Sequence, residues 1–175
     1  MSTMDATRRS PTSAAYRAGG VTLFIAIAVI LAALAFQYIG GYIPCPLCLQ
    51  QRYAYYAGIP LLFAALVLVS VERPRLAALV FFAVALAFLA NAFLGTYHAG
   101  AEWKFWPGPL GCSGTGADPA SVGNLLEGLN HETGARCDEP QFRFASLSFA
   151  GWNVVISIAL FFGALKAAFR AIERA

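Results

Sequence analysis

Reactive side chains are few in this 175-residue chain, and four of them are cysteines. Two stand in the motif Cys45-Pro46-Leu47-Cys48. A ring that small restrains almost no chain entropy, so the pair is a poor staple, while C-x-x-C is the spacing by which redox proteins lower a thiol pKa. Cys112 and Cys137 enclose 24 residues, and a disulfide there either staples a loop, for about 3 kcal/mol if unstrained, or takes part in exchange. Arg52 falls at i+4 from Cys48. Its guanidinium and the amides of a helix starting near Cys48 both favour a thiolate at that position. An arginine at a membrane edge also snorkels, but an ionisable residue in an apolar run is by default a functional candidate. A four-cysteine zinc site is the rival reading; the second pair lacks the C-x₂₋₄-C spacing of such sites, and no metal is expected.

These residues are embedded in a composition that names their solvent. Hydrophobic residues make up 59% of the chain, charged residues 12%, and the mean hydropathy is +0.64. Soluble domains carry about 25% charge, so a disordered chain, a nucleic-acid binder and an ordinary cytosolic enzyme are all poor fits. About 20 apolar residues cross a bilayer core as a helix, and four acid-free runs qualify: 21–39, 49–71, 76–97 and 145–165. The fold expected is all-α, a single membrane domain built as a four-helix transmembrane bundle. The first run is longer than the ~7–15 residues of a signal-peptide core, and it continues through Phe36 and Tyr38. Pro60 removes a backbone donor inside the second run, which a membrane bundle tolerates.

Charge orients the spans. Eight of the twelve Lys and Arg lie in the N-terminal tail, the turn at Arg73 and Arg75, and the C-terminal end. The segment 98–144 holds three cations against six anions. Cytoplasmic loops carry the cation excess, which puts both termini in the cytoplasm and the loops 40–48 and 98–144 outside. All four cysteines then face the oxidising compartment, where disulfides persist. Of three connectivities, spacing favours Cys45–Cys48 and Cys112–Cys137 as the starting state. A reducible pair at the lipid edge needs an electron acceptor there, and a quinone takes the two electrons and two protons that disulfide formation releases. In the long loop, Asp118-Pro119 reads as an N-cap and first helical position. Val122, Leu125, Leu126 and Leu129 follow with helical spacing, predicting a short amphipathic surface helix.

Four spans with both ends inside, Cys-Pro-Leu-Cys followed by Arg52, the later Cys112 and Cys137, the stretch 103–109 and Gly151-Trp152-Asn153 together resemble the DsbB family, the bacterial inner-membrane proteins that make disulfides for the periplasm. The resemblance runs from the first span to the last. It implies a thiol:quinone oxidoreductase using ubiquinone or menaquinone and a periplasmic DsbA-like thioredoxin-fold partner. It further implies that the reduced partner attacks Cys112, that Cys137 attacks Cys45, and that Cys48 leaves as a thiolate beside a quinone bound near Arg52 and His98. His98 at the end of the third run reads equally as an interfacial histidine facing water. Gln51 stands where some relatives carry an acid, so a proton donor must come from elsewhere. A vitamin K epoxide reductase-like enzyme has its loop pair before the C-x-x-C, the reverse of the order here. A membrane scaffold with two structural disulfides is the non-enzymatic alternative.

Overall fold

The computed structural model describes residues 11–108, 136–140 and 142–173. Cys112 and the surface helix predicted after Asp118 lie outside them. Among the described residues four helices are long and apolar enough to cross a membrane: α1 (Pro11–Tyr38), α2 (Pro46–Ser70), α3 (Pro74–Glu102) and α4 (Phe149–Ile172). Three of them open on proline, which is pre-set for the helix and lacks only a donor that would have no helical partner there. Cys45 caps α2, its Sγ accepting the Cys48 amide at 3.3 Å. Ser148 caps α4, its Oγ accepting the Gly151 amide at 3.2 Å. The α2 helix runs through Pro60.

Helix α1 packs on α2 and α4, and α3 packs on the same two, most extensively on α4. The interior holds Leu62, Phe81, Val84, Phe88 and Leu160, with alanines such as Ala65, Ala78, Ala85 and Ala164 between them. Small residues let helix backbones approach where lipid offers no hydrophobic drive for association. Gly58 shows the fit: a Cβ there would stand 3.1 Å from the Phe88 ring. The opposite faces expose Phe24, Leu31, Phe63, Leu79, Phe93 and Phe162, large apolar side chains that suit a hydrocarbon solvent.

Three boundaries differ from the apolar runs. Helix α1 begins well before residue 21 and α2 slightly before residue 49, because an apolar run marks hydrocarbon depth whereas a helix continues into the interface until its cap. The fourth run opens instead as a hairpin, β1 (Arg143–Phe144) paired antiparallel with β2 (Leu147–Ser148), and the helix starts only at Phe149. Ala145 and Ser146 turn the hairpin with φ of 49° and 68°, left-handed values that a two-residue turn demands and that Asn-Gly usually signals. The Trp152 indole N–H donates to the Phe144 carbonyl at 3.0 Å, tying the hairpin to α4.

Candidate functional site: a buried dithiol

Cys45 and Cys48 are free thiols with their sulfurs 3.0 Å apart. Cys45 is 3% exposed, whereas Cys48 is half-buried. As the cap of α2, Cys45 draws the donors. The Cys48 thiol, then His98 and the Cys48 amide, hold the Cys45 thiol well below its usual range against the opposing effect of burial. Sequence reasoning expected the helix start to favour charge at Cys48. The helix begins earlier, at Pro46, so its first free amides aim at Cys45.

His98 lies behind this pair and is 2% exposed, so it is not a water-facing interfacial residue. Gln51 Nε2 donates to His98 Nδ1 at 2.9 Å. The amide of Gln51 is fixed in that sense because its Oε1 accepts from Asn153 Nδ2 at 2.7 Å. Asn153 is set in turn by its Oδ1, which accepts from the Tyr55 hydroxyl at 2.9 Å and from Asn91 at 3.4 Å. With Nδ1 accepting, the proton of the neutral ring sits on Nε2. Nε2 stands 3.6 Å from Cys45 Sγ and 3.7 Å from Glu102 Oε1. A chain of amides across α2, α3 and α4 thereby selects the tautomer that presents N–H to sulfur. Asn91 and Asn153 were visible as polar residues inside apolar runs, the signal that finds such groups; Glu102 was visible at i+4 from His98.

Cys137 is fully buried and packs in one cluster with Cys45, Leu47, Cys48 and Leu94. It is disulfide-bonded, which removes it as a thiolate ligand and with it the four-cysteine metal arrangement in this state. Its neighbour Asp138 accepts from Lys104 Nζ at 2.9 Å and from Arg136 at 3.2 Å. Those two cations, Arg136 first, hold the Asp138 carboxyl down to about 2. The bridge to Lys104 fastens the Cys137 segment to the chain just beyond α3. Beside it, Trp106 stacks on Tyr97 at 5.9 Å and donates to the Tyr97 carbonyl at 2.9 Å. Gly100 permits this, since a Cβ there would come within 2.0 Å of the indole.

Arg52 reaches across to α1, where Nη1 donates to Gln37 Oε1. One residue before Gln37, Phe36 enters a group of rings with Tyr42, Phe142 and Phe149, centroids 5.0–6.2 Å apart. Sequence reasoning did not single out this aromatic group, because its members come from four separate segments.

Fold and site together define a multi-pass membrane protein with a partly buried dithiol backed by His98 and Glu102. Comparison with known proteins is more specific. The family described as Disulfide bond formation protein DsbB matches residues 16–167, and the chain belongs to that family. Its role is therefore oxidoreductive, in disulfide bond formation. The chain is also 24% identical over 142 residues to the uncharacterized protein RP370 of Rickettsia prowazekii (strain Madrid E), covering 80% of each chain. No solved structure matches it.

Proposed function

We propose that the protein oxidises a DsbA-like thioredoxin-fold dithiol and passes the electrons through Cys112–Cys137 and then Cys45–Cys48 to a membrane quinone, working in the bacterial inner membrane with both termini cytoplasmic. One observation carries this reading: Cys137, already in a disulfide, is fully buried in the same cluster as Cys45 of a close dithiol. Relay between pairs needs an accessible sulfur and a thiolate. The placement of Cys137 and Cys45 in one cluster supports the first, and the donors converging on Cys45 support the second.

The residues present fit a quinone. The half-buried Cys48 lies one helical turn before Arg52, whose guanidinium has five N–H donors and uses one on Gln37. The rings of Phe36, Tyr42, Phe142 and Phe149 offer apolar, flat surface that begins one residue from Gln37, the partner of Arg52. A quinone bound here supplies a sink for two electrons and two protons. Arg52 would hold and orient the acceptor and favour negative charge beside Cys48. His98 has both nitrogens engaged at the thiol side, so its part in this proposal is to give Nε2–H to the Cys45 sulfur.

In the relay, attack by the partner thiolate on Cys112 frees Cys137 as a thiolate. Cys137 then attacks Cys45 in the Cys45–Cys48 disulfide, and Cys48 leaves as a thiolate. The partner's second thiolate then resolves the mixed disulfide at Cys112, and Cys112 attacks Cys137 to re-form the loop disulfide and release Cys45, leaving the electron pair on a Cys45–Cys48 dithiol beside a disulfide-bonded Cys137. Re-formation of the Cys45–Cys48 bond passes that pair to the acceptor and releases the two thiol protons. Purified protein supplied with a reduced thioredoxin-fold oxidase should accelerate loss of quinone absorbance, and Cys48→Ala should abolish it. Folded, wild-type protein that leaves quinone untouched under these conditions rules the proposal out.

A further inference from the structure

Quinone reduction consumes protons as well as electrons, and Gln51 offers no acid. Helix α3 ends on one that the relay has not used. Glu102 is 8% exposed, and its Oε2 has no hydrogen-bond partner among the described residues. A buried carboxyl oxygen without a close hydrogen bond costs stability, offset here only by the nearby Ser148 hydroxyl, so the group calls for an explanation. Its other oxygen faces His98 Nε2, the same nitrogen that faces Cys45 Sγ. Around the carboxyl stand His98 from α3, Cys45 at the cap of α2, Ser148 at the cap of α4 and Arg143 from β1, with Cys48 also within electrostatic reach.

His98 is not available to take the thiol proton. Gln51 occupies Nδ1, and Nε2 already bears hydrogen. We propose that Glu102 is the proton carrier of the dithiol, accepting the Cys45 proton as its thiolate forms and holding it for the quinone. This rests on the quinone reading above. The step is a proton transfer without electron movement: Cys45 Sγ–H and the Glu102 carboxylate become Cys45 thiolate and Glu102 carboxylic acid, the proton crossing one intervening water. His98 Nε2–H then turns from carboxylate to sulfur. One N–H serves one anion well, and two buried anions beside it repel, so the pocket keeps a single negative charge and moves it between oxygen and sulfur.

The first test needs no quinone. In fully reduced protein with Cys112 and Cys137 replaced by Ala, thiolate absorbance is followed against pH. Glu102→Gln removes the competing charge and should bring thiolate out about one pH unit lower, while Glu102→Asp should keep the wild-type curve. A curve that does not move, or that moves up to that of a solvent-exposed cysteine because the pocket has opened, overturns the proposal. The second test is turnover. Despite its extra thiolate, Glu102→Gln should lose about a hundredfold in kcat near neutral pH, with the deficit closing as pH rises, and formate should restore Glu102→Ala. A deficit equal at every pH and untouched by formate marks a structural role and overturns the proposal. Wild-type protein that fails to reduce quinone would sink the parent reading alone, because the thiolate titration still decides the role of Glu102.

Discussion

Cys45, rather than Cys48, is the sulfur on which the dithiol's hydrogen bonds converge, and the reason is where α2 starts. A cap residue meets the free amides of the first turn, and Cys45 holds that position with His98 behind it. The tautomer of His98 depends on Gln51. Gln51→Leu would remove the donor to Nδ1 and leave Asn153 Nδ2 without its acceptor. The buried His98 nitrogen then loses its partner at about 1–3 kcal/mol, and the half-buried Asn153 amide at less. The expected outcome is a lower melting temperature together with a Cys45 thiolate that appears only at higher pH, read by thiolate absorbance. Arg52→Gln removes the cation beside Cys48 while keeping an amide. It should raise the apparent KM for quinone by about tenfold, equivalent to losing one charge-assisted hydrogen bond of about 1.4 kcal/mol. An unchanged KM would take Arg52 out of the acceptor site.

At the scale of elements, the segment around Cys137 is held by charge and the end of α3 by an aromatic stack. Asp138 is depressed in the folded protein, to about 2 from 3.8. A depressed carboxyl contributes stability above its unfolded value and loses it as pH falls through the folded one. Docking of the 136–139 segment should therefore be intact above about pH 4 and fade between there and about pH 2. Hydrogen exchange or proteolysis of this segment against pH checks the window, and Asp138→Asn should loosen it already at neutral pH. The stack of Trp106 on Tyr97 requires glycine at position 100. Gly100→Ala should drive the half-exposed indole out into solvent, shifting its fluorescence to the red, with little change in overall melting because the ring can swing clear.

For the whole molecule, four crossings return the chain to the face where it began, and the proposed orientation puts that face, with its excess of cations, in the cytoplasm. A reporter that is active only in the cytoplasm should work when fused after Ala175 and fail when inserted next to Glu139. The reverse pattern would invert the orientation and put the dithiol in a reducing compartment, where a resting disulfide at Cys137 would not persist.

The four spans and the C-x-x-C spacing of Cys45 and Cys48 were legible along the chain. Each is a local property: apolar length follows from bilayer thickness, and loop chemistry from residue spacing. The hairpin before α4 was not legible, because Ala145 and Ser146 carry no turn signature. Nor was the assembly of Gln51, His98, Glu102 and Asn153 about Cys45, whose members stand up to 102 residues apart. The amino-acid sequence by itself determined a four-span membrane protein with two cysteine pairs. The tertiary structure decided which sulfur receives the hydrogen bonds, which histidine nitrogen bears the proton and which acid is buried beside them. Those are set by distances of a few ångströms between different helices, and packing alone creates such distances.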